Sequence, residues 1–167
     1  MGPLADLDAV TLDANGTLVE LVDPVPTLVQ ILRERGAERS RERVAHAFER
    51  ESAHYIPRTL EGRDARSLEA LYRDCASVFL SAVGANLDPA EFAPTYAGAI
   101  AFEVLPGVRD ALDVLTAHGL VLAVVGNWDM TLQSRLEAAE ARTSPVSAGH
   151  AQSRAPGEGS LRRAAAH

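Results

Sequence analysis

Two short apolar runs in this chain have the composition of strands in a sheet. Residues 9–12 are compatible with a β-strand and end at a turn formed by Asp13, Asn15 and Gly16. Residues 120–125 form a continuous apolar run without polar alternation, a pattern typical of a parallel strand buried on both faces. A helix directly before such a strand is half of an αβ repeat, so the sequence predicts an α/β protein.

The long segment between these runs has helical apolar spacing, and residues 25–98 contain no convincing strand pattern. Residues 67–83 carry the clearest apolar stripe, which is followed by Gly84. Further helices are predicted at 25–35 and 41–51, from Asp88-Pro89 onward, and from Val108 to a stop at Gly119. The predicted order is therefore strand, helical insert, helix and strand.

The last thirty or so residues differ in composition from the rest. Residues 138–167 are dominated by Ala, Ser, Gly, Arg and Pro, and Val146 and Leu161 are their only large aliphatic residues. Such a segment cannot bury enough apolar area to offset the entropy lost on ordering. We expect a short helix to about Ala141 and a disordered tail over 142–167.

Charge and cysteine content exclude several classes of protein. The 167 residues carry 16 basic and 23 acidic side chains, a formal charge of −7, which argues against a nucleic-acid or anionic-membrane partner. No apolar stretch approaches the roughly 18 residues of a membrane span, and the N-terminus lacks a secretory signal pattern. Cys75 is the only cysteine, so an intramolecular disulfide or a cysteine zinc cluster is impossible. We expect a soluble cytoplasmic protein.

The first candidate motif, Leu-Asp-Ala-Asn-Gly-Thr-Leu, spans residues 12–18. Asp13 follows a predicted strand, and open α/β sheets bind ligands at the carboxyl ends of their strands. As an isolated tripeptide pattern, this could simply be a turn that ends a strand. In context, the stretch resembles the first motif of the haloacid dehalogenase (HAD) superfamily, Asp-x-Asp-Gly-Thr-Leu after an apolar strand.

A second motif strengthens this resemblance. Val-Val-Gly-Asn-Trp-Asp closes the later apolar run, where the superfamily has Ser or Thr, commonly followed by Asn. The resemblance covers roughly residues 8–140. It implies a HAD-like three-layer core over 1–19 and 102–141, with a parallel sheet that is incomplete here. Residues 20–101 would be the inserted α-helical cap of the family.

The resemblance also implies a mechanism. Asp13 would attack the phosphorus of a small-molecule phosphate ester and form a covalent aspartyl intermediate that water hydrolyses. The Asp13 carboxylate and the backbone carbonyl of Asn15 would bind Mg²⁺, a cation that prefers oxygen ligands. Asn127 and nearby backbone amides, including that of Gly126, would hold the transferring oxygens.

Three departures from the family pattern alter this expectation. Phosphatases of the superfamily have an aspartate where Asn15 stands, and an amide cannot transfer the proton, a contribution worth about 10²–10⁴-fold. Gly126 replaces the usual hydroxyl residue, and the chain has no lysine for the third motif. Family character ends near Glu140, which suggests a truncated or frameshifted C-terminus.

These departures leave three functions open. The first is an impaired Mg²⁺-dependent phosphatase, and the second is a 2-haloacid dehalogenase, because halide leaves without protonation. The third is an inactive remnant that binds a partner through an open sheet edge. The oligomeric state stays undetermined by the sequence.

Overall fold

The computed structural model describes residues 7–143, and these residues form a mixed α/β fold. Within them lie four strands, six α-helices and one 3₁₀ helix. In chain order they are β1 (Ala9–Leu12), β2 (Val19–Leu21), α1 (Val25–Glu34), α2 (Arg41–Tyr55), the 3₁₀ helix (Ile56–Glu61), α3 (Ala65–Val83), α4 (Pro89–Ala99), β3 (Phe102–Val104), α5 (Val108–Ala117), β4 (Val121–Val124) and α6 (Leu132–Thr143). The α/β class expected from the sequence is confirmed. Beyond Thr143, the tail expected over 142–167 lies outside the described residues.

The described chain divides into two compact units. The α/β unit contains the described residues up to Leu21, together with Phe102–Gly126 and the described residues from Thr131 onward. The helical unit contains Val22–Ala101 and a short segment, Asn127–Met130. No helix in the described part of the chain is long and apolar enough to cross a membrane.

The α/β unit holds two small sheets. Strands β1 and β4 pair in parallel, with Leu12 opposite Val124, and β2 and β3 pair antiparallel, with Val19 opposite Val104. Helix α6 packs against β3, and α5 packs against β4. The chain connection from β1 to β4 is long and contains helices, as parallel pairing requires.

The prediction that residues 120–125 are buried on both faces is wrong. Leu120 and Leu122 are buried, but Val121 and Val125 are 54% and 62% exposed. Within the described residues β4 pairs only with β1, so no second strand pairs with its other edge there. Unbroken apolar sequence here marks a strand with one buried face.

The helical unit is built around packed helices α1–α4, with α3 in contact with both α2 and α4. Its core contains a tilted and stacked group of three rings, those of Phe79, Phe92 and Tyr96. Sequence signals at the helix ends explain why the helices begin and stop where they do. The Asp64 carboxylate accepts a hydrogen bond from the Ser67 backbone N–H (2.8 Å) at the start of α3, and Gly84 ends α3 with a left-handed φ of 70°.

Candidate functional site

Asp13 lies at the carboxyl end of β1, beside the carboxyl end of its parallel neighbour β4. The backbone N–H of Val125 donates to the carbonyl of Leu12 across 2.9 Å, so pairing continues to the last residues of both strands. Asp13 directly follows Leu12, and Gly126 directly follows Val125, so both residues lie at the same edge of the sheet. This is the edge at which open α/β sheets bind ligands.

The backbone of Gly126 approaches the Asp13 side chain closely. A Cβ atom placed on residue 126 would lie 3.0 Å from Asp13 Oδ1, closer than a side chain is normally tolerated. Both residues are exposed to solvent. The structure therefore brings together two of the four residues predicted for the site. These are Asp13, which supplies a carboxylate, and Gly126, which has no side chain.

Asn15, the third predicted residue, lies in a tight turn after β1. The Ala14 carbonyl accepts hydrogen bonds from the backbone N–H groups of Leu18 (2.9 Å) and Val19 (3.0 Å), and Gly16 adopts a left-handed φ of 78°. Glycine is favoured there because other residues rarely adopt that conformation. The turn holds Asn15 exposed, two residues beyond Asp13.

Asn127, the fourth predicted residue, is exposed and belongs to the helical unit, in the segment Asn127–Met130. Its role in holding substrate oxygens stays a prediction.

Asp129, in the same segment, makes buried contacts that no local sequence pattern indicates. It is 4% exposed, and its Oδ2 atom accepts hydrogen bonds from the hydroxyls of Tyr55 (2.8 Å) and Tyr72 (2.9 Å). The tyrosines are remote in sequence, so no local pattern predicts these contacts. The only sequence signal is an aspartate that follows a tryptophan at the end of an apolar strand.

A second group of buried polar side chains lies inside the helical unit. Glu51 is 5% exposed and accepts a hydrogen bond of 2.8 Å from the Tyr96 hydroxyl, with the Cys75 thiol as a further partner. Burial raises the pKa of Glu51 above its ordinary value, and it raises the pKa of the Cys75 thiol and of the Tyr96 hydroxyl as well. Cys75 is thus a buried thiol with a raised pKa.

The donors around Asp13 decide whether Mg²⁺ fits there. Asp13 supplies an exposed carboxylate, and the turn adds backbone carbonyls, both of the oxygen type that Mg²⁺ prefers. Among residues 7–143, however, no group of three or more His, Cys, Asp or Glu side chains is placed to hold a metal ion. Mg²⁺ retains several waters and commonly takes further ligands from substrate phosphates. An Mg²⁺ ion bound by the Asp13 carboxylate would therefore need further ligands from water or from a bound phosphate.

Comparison with known proteins identifies no family for this chain. No protein-family model and no curated protein matches it. Among solved structures it is similar to a predicted phosphoglycolate phosphatase from Haemophilus somnus 129PT, with 21% sequence identity and a TM-score of 0.42 over 82% of this chain. The match spans 59% of that protein's length. A TM-score this low establishes neither a shared fold nor a shared activity.

Proposed function

We propose that this chain is a HAD-type hydrolase in which the Asp13 carboxylate attacks the phosphorus of a small phosphate monoester. One observation carries the proposal: Asp13 and Gly126 meet at the carboxyl ends of two paired parallel strands. The motif resemblance of residues 12–18 and of the β4 end supports it independently. In this proposal the α/β unit is the HAD-like core, and residues 20–101 are the family's helical insertion.

The reaction proceeds in two displacements. An Asp13 carboxylate oxygen bonds to phosphorus while the bond from phosphorus to the ester oxygen breaks, which yields an aspartyl phosphate and releases the alcohol. Water then attacks the aspartyl phosphate, gives up a proton to solvent, and releases inorganic phosphate and free Asp13. Residue 126 can contribute only its backbone N–H to a phosphoryl oxygen, because glycine has no side chain.

Asn15 determines which esters react. Its amide can donate a hydrogen bond but cannot protonate the departing oxygen, so that oxygen must leave as an anion or take a proton from water. Aryl phosphates, whose leaving groups are stable anions, will therefore react faster than alkyl phosphates. The 167 residues also contain no lysine to neutralise the intermediate, so turnover is slow for every ester.

Mg²⁺ belongs to the proposal as a partner of the substrate phosphate. The Asp13 carboxylate and the carbonyl of Asn15 would hold it, and bound there it supplies neutralisation of the charge between nucleophile and phosphate. Asn127 would orient the phosphoryl oxygens.

Asn15 also supports a second candidate, hydrolysis of a 2-haloacid. Halide departs without a proton, so the amide at residue 15 carries no penalty in that reaction. Asp13 would then displace halide from the carbon atom, and water would hydrolyse the resulting ester.

One set of assays separates these functions. With Mg²⁺ present, the wild-type chain should hydrolyse p-nitrophenyl phosphate, and Asp13→Asn should lower turnover at least about 100-fold by removing the nucleophile. Asp113→Asn, an exposed carboxylate on α5 of the same unit, is the matched control and should retain wild-type turnover. Asp13-dependent release of chloride from 2-chloropropionate would favour the dehalogenase. Absence of Asp13-dependent turnover on both substrates would overturn both proposals and leave an inactive binding protein.

A further inference from the structure

The segment Asn127–Met130 joins the helical unit for only four residues. The residues on either side of it, Gly126 and Thr131, belong to the α/β unit. Hydrogen bonds at Asp129 and Met130 connect this segment to the helical unit.

Asp129 attaches the segment through its side chain. Its buried Oδ2 atom accepts hydrogen bonds from Tyr55 at the end of α2 and from Tyr72 on α3. Burying a carboxyl group is costly unless it is hydrogen-bonded, and two donors on one oxygen compensate part of that cost. The two hydroxyls come from different helices, α2 and α3, so together they restrict both the position and the orientation of the Asp129 carboxyl group.

Gly62 provides the backbone attachment. Its carbonyl accepts a hydrogen bond of 2.9 Å from the Met130 backbone N–H. A Cβ atom on Gly62 would lie 3.0 Å from Asp129 Cβ and 2.9 Å from Leu68 Cδ1, so the segment packs directly on the backbone at residue 62. Side-chain and backbone contacts thus hold adjacent residues of the same segment.

We infer that Tyr55 and Tyr72 are positioning residues, which act through Asp129 to fix the chain as it leaves β4. A peptide bond joins Gly126, beside Asp13, to Asn127 in the held segment. Anchoring residues 127–130 therefore restricts the backbone conformations available to Gly126 and Asn127. The effect of this anchoring on turnover rests on the proposed function, whereas the anchoring itself does not.

Amide hydrogen exchange tests the anchoring without any substrate. In Tyr55→Phe/Tyr72→Phe the rings remain for packing, but the two hydroxyls that donate to Asp129 Oδ2 are lost. We expect the Met130 amide to exchange at least about 10-fold faster than in wild type, because the segment that carries it loses two hydrogen bonds to the helical unit. The Val125 amide, which bonds to Leu12 in the α/β unit, should change less than about 2-fold. The single Phe variants should show smaller effects at Met130.

Tyr96→Phe is the matched control, because it removes a tyrosine hydroxyl from the same helical unit but from Glu51 rather than Asp129. Equal acceleration at Met130 in this control, or no acceleration in the double variant, would overturn the inference. If wild type turns over p-nitrophenyl phosphate, the double variant should also raise KM about 10-fold with little change in kcat, and the control should not. A wild type without turnover contradicts the proposed function, and the exchange measurement still decides the anchoring.

Discussion

Gly126 lies so close to Asp13 that a Cβ atom on residue 126 would be 3.0 Å from Asp13 Oδ1. The φ angle of Gly126 is not in the left-handed region, so its backbone does not require glycine. The close approach is therefore a property of the site: the absence of a side chain at 126 leaves room for the Asp13 carboxylate. Any residue other than glycine must displace that carboxylate by a few tenths of an ångström.

Gly126→Ala should accordingly impair the reaction without unfolding the protein. The Asp13 side chain is exposed and can rotate away, so we expect the free energy of unfolding to change by less than about 0.5 kcal/mol. Displacing the nucleophile should lower kcat/KM for p-nitrophenyl phosphate about 10-fold or more. Gly98→Ala, where a Cβ atom meets nothing within 4 Å, is the control for kinetics. Unchanged kcat/KM in Gly126→Ala would argue that the Asp13–Gly126 pair is not the reaction site.

Asn15→Asp should restore a group that can protonate the leaving oxygen. The two side chains have nearly the same shape, so the turn after β1 should persist. We expect hydrolysis of alkyl phosphates to rise by as much as about 100-fold and that of p-nitrophenyl phosphate to rise less, since its leaving group needs no proton. Parallel kinetics on both esters measure this contrast. A slower release of chloride from 2-chloropropionate, with no gain on either ester, would instead support the dehalogenase.

Local sequence patterns were sufficient to predict most of the elements. The strand at Ala9–Leu12 has the predicted bounds, and the helices at Val25–Glu34 and Ala65–Val83 differ from the prediction by only one or two residues. These elements have apolar periodicity and end signals, such as Gly84, within their own residues. The turn at Asp13, Asn15 and Gly16 was predicted for the same reason.

Contacts between residues remote in sequence were not predictable in this way. Strands β2 and β3 have three residues each, and they pair only because a long helical segment returns the chain to the same place. Asp129 lies three residues before α6 begins at Leu132, but its carboxyl group accepts hydrogen bonds from Tyr55 and Tyr72, which are remote in sequence. The approach of Gly126 to Asp13 was foreseeable only from the assumption that β1 and β4 are parallel neighbours.

Gly84→Ala should destabilise the protein, and Gly98→Ala should not. Gly84 has a φ of 70°, and its added Cβ atom would lie 2.6 Å from the Arg43 guanidinium. The Arg39 guanidinium also donates to the carbonyls of Val83 and Gly84 at this helix end. We expect a loss of about 1–2 kcal/mol from the left-handed conformation alone.

Gly98 lies near the end of α4 with no atom close to its Cβ position, so alanine there should stabilise by up to about 0.5 kcal/mol through the unfolded chain. Urea unfolding of the two variants measures both changes. Equal effects would contradict the helix-end conformation assigned to Gly84.

Glu51 should make the stability of the protein fall as the pH rises. Burial raises its pKa in the folded chain, while the unfolded chain has the ordinary value of 4.5. The folded state therefore favours the uncharged form of Glu51. The contribution of this group to the free energy of unfolding is complete below pH 4.5 and is lost as the pH rises through the folded-state pKa. Asp74 acts in the opposite direction, because hydrogen bonds from Arg58 and His54 lower its pKa, so stability is lost as the pH falls.

The Glu51 contribution is isolated by comparing wild type with Glu51→Gln at each pH, since the effect of Asp74 is common to both. The glutamine oxygen can still accept from Tyr96, but it carries no charge at any pH. We expect Glu51→Gln to gain free energy of unfolding relative to wild type from pH 4 to pH 8, measured by urea unfolding. Glu69→Gln, an exposed site on α3, should stay parallel to wild type over the same range. A Glu51→Gln difference that is constant with pH would mean that Glu51 titrates as an ordinary, solvated glutamate.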